Sequence, residues 1–337
     1  MLTYILRRLL LMIPTLFGIT LVVFFIVQAA PGGPIEQALK EMSGDTGGAV
    51  SGSTVISKEV IEDLKKQYDF DKPIYVRYGK WLKTTLTFNF GTSLVYEGEP
   101  VLKVIASKFP VSIQFGLTSL CLTYLLCIPL GIAKAVRDKS RFDYISSMLI
   151  FLGHSTPGFV LGILLVVFFG GGSFWNLFPI GGIYSPDYET LSAGQQFLDR
   201  IHHAVLPIIC YMVGHVAVIT MLMKNSLIGE LSKDYIKTAR AKGLKHFWVV
   251  YKHALRNALI PIVTGIGGIF TLIFAGSVLI ETVFNLDGMG LLTYNSVMKR
   301  DYTVIMASVT IHSLLIMLGN IFADVMLILV DPRIDFE

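Results

Sequence analysis

Six apolar runs, each long enough to cross a bilayer, dominate this sequence. They cover approximately residues 9–28, 111–133, 145–169, 204–223, 259–280 and 303–330, and the only Asp, Glu, Lys or Arg inside them is Asp324. A helix rising about 1.5 Å per residue needs about 20 residues to traverse roughly 30 Å of hydrocarbon. Backbone amides in lipid must be satisfied within their own segment, and the ten-residue alternation of a membrane barrel is missing. The expected fold class is therefore an all-α polytopic membrane protein with six transmembrane helices. Composition agrees, since 53% of residues are hydrophobic and 15% are charged, against about 25% charged in soluble domains.

The first run invites a second reading. Arg7, Arg8, an apolar core and the word VQAAP resemble a secretory signal, but such cores span about 7 to 15 residues, so the run is read as a retained helix. Cys121, Cys127 and Cys210 all fall inside predicted spans, which offers neither a disulfide framework nor a zinc spacing.

Short loops rich in Lys and Arg stay in the cytoplasm. The loop after the second run carries Lys134, Arg137, Lys139 and Arg141, and the one after the fourth carries eight basic residues from Lys224 to Arg256. By contrast, residues 170–203 hold only Arg200, and 281–302 hold only Lys299 and Arg300. Both termini are expected to be cytoplasmic. Residues 31–110, with ten basic and ten acidic residues, exceed the loop length of about 60 to which the rule applies and are expected to form an extracytoplasmic subdomain. Within it MSGDTGGAVSGSTV reads as a mobile stretch and SKEVIEDLKKQYDF as a helix capped by Ser57. The expected organisation is residues 1–30 as cytoplasmic end and first helix, 31–110 as the loop subdomain, 111–330 as the transmembrane core with a cytoplasmic loop at 224–258, and 331–337 as a cytoplasmic tail.

The chain lacks a G-x-x-x-x-G-K-[ST] phosphate loop, a G-x-S-x-G elbow and an H-E-x-x-H pair. No catalytic residue, resident cofactor or metal is expected, and any ATP must be bound by another chain. Ionisable groups inside a membrane are costly and tend to face a cavity, which singles out His154, His215, His312 and Asp324, with Glu281 at a run's end. The plainer alternative for each histidine is a neutral ring bonded to a neighbouring helix. In GHSTPGFVLG, Pro157 is expected to kink the third span beside His154 and Thr156, while Gly158 and Gly162 offer a small-x-x-x-small face for close packing.

The segment DYIKTARAKGLKHFWVVYKHALRN, residues 234–257, is the strongest local pattern. Leu227, Leu231, Tyr235 and Ala239 recur every four residues opposite Lys233, Lys237 and Arg240, which reads as an amphipathic helix. Gly243 is placed to end it at positive φ, and Phe247, Tyr251 and Leu255 make a second apolar stripe beyond. Its charge fits cytoplasmic retention near anionic headgroups. It equally fits a docking surface where Ala239, Ala241 and Gly243 admit a partner's backbone. Periodicity does not rank the two, while nucleic-acid binding suits a loop pinned to a membrane poorly.

YIKTARAKGLKHFWVVYKHALRNALIP resembles the EAA loop of ABC-transporter inner-membrane permeases, in the form used by the dipeptide and oligopeptide group. The general pattern is Glu-Ala-Ala, three residues, Gly, nine residues, then Ile-x-Leu-Pro. Aligning its Gly with Gly243 leaves Ala239, Gly243 and Leu255 as matches, with Lys237, Thr238, His253 and Arg256 departing from it. The words TARAKG and HALRNALIP are those of the peptide subgroup. LRRLLLMIPTLFGIT with APGGP resembles the group's amino end. YDFDKPIYVRYGKWL, containing Asp71 and Pro73, with FGTSL resembles its first loop. ETVFNLDGMGLL and RDY, containing Gly288, Gly290, Arg300, Asp301 and Tyr302, resemble its fifth.

The resemblance implies the permease fold of an ABC importer in a bacterial inner membrane. It also implies a second, similar permease, ATP-binding subunits that hold ATP and Mg, an extracytoplasmic substrate-binding protein and a peptide cargo, which in this subgroup includes the peptide-nucleotide antibiotic microcin C. Lys237, Thr238, Ala239, Arg240, Ala241, Lys242, Gly243 and Leu244 would form the coupling element seated on an ATPase. His154, Thr156, Pro157, His215 and Glu281 are the candidates for the translocation path. Asp71, Pro73, Gly288, Gly290, Arg300 and Asp301 are those for the extracytoplasmic loops. The same machine with dipeptides, nickel chelates or glycans as cargo, and an ion-coupled secondary transporter, remain the alternatives.

Overall fold

The computed structural model describes residues 2–29, 72–93, 95–96, 98–171, 174–265 and 276–330. Asp71, the Gly/Ser-rich stretch, the helix expected after Ser57 and residues 331–337 lie outside them. The described chain is helical: α1 (Leu2–Ala29), α2 (Ile74–Leu86), α3 (Val101–Val136), α4 (Arg141–Ser155), α5 (Gly158–Phe169), α6 (Ala193–Leu231), α7 (Asp234–Ala241), α8 (His246–Trp248), a π-helical segment (Val249–Ala254), α9 (Leu255–Ala258), α10 (Ile260–Thr264), α11 (Val278–Val283), α12 (Met289–Met298) and α13 (Tyr302–Val330).

Four stretches, Tyr4–Ala29, Val101–Val136, Ala193–Leu231 and Tyr302–Val325, are long and apolar enough to cross a membrane, and the bent pair α4 and α5 makes a fifth if counted together. The remaining expected span, 259–280, runs through residues 266–275, outside the described residues.

Two compact units divide the chain. Unit 1 comprises residues 1–6, 108–291 and 315–337. One of its cores joins Ile132 of α3, Met223 and Leu227 of α6, and Ile236 and Ala239 of α7 to Val249, Val250 and Ala254 of the π segment. Another gathers Phe115, Leu206, Cys210, Ile280 and Phe284. In unit 2, residues 7–107 and 292–314, Tyr78 of α2 packs between Phe24 and Met306 and shares a 3.1 Å hydrogen bond with Thr20. The first-loop segment thus packs with α1 and the start of α13, not on its own.

The third span departs from expectation. Instead of one helix kinked at Pro157, α4 stops at Ser155, Thr156 is extended (φ −94, ψ 119) and Pro157 caps the start of α5, with 96° between the two helices. Proline pushes the preceding residue out of the helical region and donates no hydrogen bond, and here both effects fall on one turn. Beyond the break Gly158 and Gly162 do allow close packing. A methyl group on Gly158 would lie 2.7 Å from the Cys210 carbonyl oxygen, and one on Gly162 3.1 Å from Phe284.

Candidate functional site

The amphipathic helix expected to run through Leu227 and Ala239 before the corner is broken in two. α6 ends at Leu231, Lys233 is extended (φ −73, ψ 154), and α7 starts at Asp234. The Ser232 hydroxyl donates to the Gly229 carbonyl at 2.7 Å, satisfying one of the acceptors a helix end leaves open. The break turns Ile236 into the core in place of Tyr235. Tyr235 donates to Glu230 at 2.6 Å and accepts from the Asn257 amide at 3.1 Å, tying α7 to the end of α9. Burial first, and then the Glu230 carboxylate, push its phenol above the usual value, so it stays a donor at neutral pH.

α7 ends in a Schellman corner. The Gly243 amide donates to Arg240 at 2.9 Å and the Leu244 amide to Ala239 at 3.4 Å, with Gly243 at φ +76; glycine is the usual residue there because it has no Cβ to clash. Every residue from Arg240 to Trp248 is exposed, whereas Ala239 is buried against the chain's own core. Of the three small residues, only Ala241 and Gly243 therefore face outward, and among the described residues none beyond its chain neighbours comes within 4 Å of the place a Gly243 Cβ would occupy. Lys237 pairs with Asp234 at 2.8 Å in solvent, an interaction worth about 0 to 1 kcal/mol.

Past the corner the expected stripe is also revised. Phe247 and Tyr251 stack on each other at 4.5 Å but are 58% and 46% exposed, while Val249, Val250 and Ala254 are buried. The cause is the π segment, whose i→i+5 bonds wind more residues into each turn and shift the inward face.

The path candidates do not converge on one cavity. His154 is exposed and its Nδ1 is 3.0 Å from the Gly214 carbonyl oxygen on α6. The Thr156 hydroxyl donates back to Leu152 at 3.2 Å, and His215 lines a small, mostly apolar cleft with Ser119, Thr123 and Tyr211. His312 is half-buried, and Asp324 accepts from the Tyr4 hydroxyl at 3.2 Å. A larger cavity, about 560 Å³, lies between α3 and α6; it is mainly apolar, with Arg200 its one charged side chain, and contains none of these residues.

Glu281 sits elsewhere, only 1% exposed, in a cage of neutral donors. Its carboxylate accepts from the Leu291 amide at 2.7 Å, the Ser277 amide at 3.2 Å, Ser112 at 3.3 Å and Tyr211 at 3.4 Å. Gly288 and Gly290 wall this cage. A Cβ on Gly288 would be 2.7 Å from both Glu281 and the Ser112 hydroxyl, and one on Gly290 would be 2.6 Å from the Val278 nitrogen. In unit 2, Asp301 is wholly buried and accepts from Ser93 at 2.5 Å and from the Val304 amide at 3.3 Å. It thereby fastens the FGTSL word to the first turn of α13. Arg300 turns the chain at φ +58 just before it, and Pro73 caps α2.

Sequence reasoning missed Ser112, Tyr211 and Ser93, and it missed a charged cluster. Lys134, 0% exposed, and Lys224 close on Asp143 at 3.0 and 2.6 Å. The available signal was the word SRFD, in which Ser140 caps α4 and Asp143 takes the third helical position. Among the described residues, no group of three or more His, Cys, Asp or Glu is arranged to hold a metal.

Residues 127–336 match the family of binding-protein-dependent transport system inner membrane components. The chain belongs to this family. Among relatives of this permease, the inner membrane ABC transporter permease protein YejB of Escherichia coli O157:H7 is 41% identical over 99% of both chains. A peptidoglycan transport system permease protein YejB of Agrobacterium fabrum is 39% identical over 99% of this chain and 98% of its own. The oligopeptide transport system permease protein AppB of Bacillus subtilis is 37% identical over the whole of both. The family's membership and the four to five apolar helices make this permease a multi-pass inner-membrane protein.

Proposed function

We propose that this permease moves oligopeptides into the cytoplasm through six transmembrane helices with both termini cytoplasmic, paired with a YejC-like second permease. A substrate-binding protein delivers the peptide, and ATP with Mg is bound and hydrolysed on partner subunits. The coupling element is Lys237 to Leu244. The observation that carries this reading is the Gly243 corner: exposed from Arg240 onward, left open by its own chain, and braced from behind by Ile236, Ala239 and Val249 in the core. A free loop would deform on contact, whereas a corner seated on a packed core passes a push to α3 and α6. His154, Thr156 and His215 are proposed contacts for the peptide main chain.

Relatives named for oligopeptide and peptide transport support the cargo, and microcin C-like peptide conjugates fall within the same chemistry. The relative named for peptidoglycan transport favours a second cargo, peptides bearing glycan. Titration of the partner binding protein with an oligopeptide and with a glycan-linked peptide separates the two. In proteoliposomes holding the whole complex, uptake is expected to require ATP and to stop with vanadate. Uptake that follows an ion gradient and ignores vanadate would sink the importer reading.

A further inference from the structure

Of the fifteen residues of α4, only Asp143 is buried. Its apolar side chains point outward, with Ile145, Met148, Leu149 and Leu152 all more than half exposed. An amphipathic helix usually grips its neighbours with an apolar stripe. This one meets α6 along small residues such as Gly153, which lies against Val213, and polar groups tie it down near its two ends.

At the first end Asp143 is 4% exposed. Its Oδ2 accepts from Lys224 Nζ of α6 at 2.6 Å and from the Lys139 amide at 3.1 Å, while Oδ1 is 3.0 Å from Lys134 Nζ of α3. Lys134 also donates to the Asp143 carbonyl oxygen and to Ser146 and Ser147 at 2.9, 2.8 and 2.7 Å. Lys224 reaches Asp138 at 2.9 Å. Two ammonium groups thus face two carboxylates, and the cluster is charge-balanced. At the other end, His154 meets the Gly214 carbonyl oxygen of α6.

Buried ion pairs are weak sources of stability, and their best-attested use is to specify register. Apolar surfaces tolerate sliding, but a displaced Asp143 would leave buried ammonium groups unpaired. Ile132 and Ala135 of α3 bracket Lys134 in sequence, and Met223 of α6 precedes Lys224; these three side chains form the floor on which α7 and the π segment pack. The clamp therefore joins α4 to α3 and α6 at the level where the corner is seated.

We propose that Asp143, held between Lys134 and Lys224, is a positioning residue that obliges α4 to move with α6, so that displacement of the coupling corner reaches the break at Thr156 and Pro157 without slip. This rests on the reading that residues 237–244 engage an ATPase subunit.

The test uses the complete transporter in proteoliposomes. Asp143→Asn is expected to lower peptide uptake per ATP hydrolysed by about tenfold, within the range of site-to-site coupling. The amount of assembled complex and the rate of ATP hydrolysis should stay within about twofold. Lys224→Met should reproduce this loss and Lys224→Arg restore the ratio. If Asp143→Asn fails to assemble, the charge-balanced pair Lys134→Met with Asp143→Asn takes its place. An unchanged ratio in the assembled variant overturns the proposal. So does a parallel fall of assembly, hydrolysis and uptake in both variants, which identifies a purely structural brace. Cross-linking of a Lys242→Cys variant to the ATPase subunit distinguishes the two readings. Absence of the cross-link in the otherwise native chain sinks the docking reading, whereas a retained cross-link with an unchanged ratio in Asp143→Asn sinks the clamp alone.

Discussion

Gly290 and Gly243 are glycines for opposite reasons. Around Gly290 the chain fills its own space, and a single methyl group would overlap the Val278 nitrogen and approach Glu281. Around Gly243 no other described residue comes within 4 Å of a would-be Cβ, and only the positive φ asks for glycine. A glycine closed in by its own chain reports on packing. One left open at positive φ reports on the turn, and the space beside it is where the proposed partner would sit.

The contrast breaks most visibly if the closed site is overfilled. Gly290→Val is expected to destroy the Glu281 cage, with loss of detergent-extracted permease and a lowered thermal midpoint, since overpacking costs about 1–3 kcal/mol and a backbone clash more. Gly288→Ala should follow in the same direction. Normal expression and stability in both would remove the cage as an account of these glycines.

At the open site, Gly243→Asp should insert and assemble normally but lose peptide-stimulated ATP hydrolysis. Asn tolerates positive φ better than Ala, which pays roughly 1–2 kcal/mol there. If φ alone matters, Gly243→Asn will hydrolyse ATP nearly as the native chain does and Gly243→Ala will not. If the space is kept for a partner, both will fail alike. Normal stimulation in Gly243→Asp would end the coupling assignment.

Smaller effects sharpen the picture. Tyr211→Phe takes one donor from Glu281 and one acceptor from the Ser277 amide, and a loss of about 1–3 kcal/mol is expected in thermal unfolding of the complex. His154→Ala removes one interhelical hydrogen bond, for which membrane proteins average about 0.6 kcal/mol. A small midpoint shift with unchanged uptake would make His154 a brace; lost uptake at unchanged stability would make it a contact for peptide.

The long helices were legible because a bilayer imposes length and hydropathy on each run separately, and the Gly243 corner because a helix stop is a local event. Pro157 was legible as a disturbance, but the size of the bend depended on the contacts of Gly158 and Gly162 with α6 and α11. The stripe through Phe247 and Tyr251 failed because it assumed α-helical winding where the chain adopts i→i+5 bonds. Glu281 looked like a pathway residue while its neighbours were unknown. Ser112, Tyr211 and Leu291, which occupy its carboxylate, lie far from it along the chain or on the other side of a turn, and no periodicity joins them. Asp143, Lys134 and Lys224 escaped for the same reason, since loop lysines look alike until two of them prove buried.

The π segment sets a rule about chain length. Each residue added to or removed from a helix of fixed winding rotates everything downstream by about 100°; a one-residue deletion within Val249–Ala254 is absorbed when the π turn relaxes to the α form, whereas the same deletion in α9 would swing Asn257 away from Tyr235. The buried Val249, Val250 and Ala254 fix which side chains this stretch accepts, and the π turn is the one place between Gly243 and α9 where a residue can be lost without changing direction. The distance from the corner to α9 is thus counted in residues, and a loop shortened outside the π turn would present the same chemistry in the wrong direction.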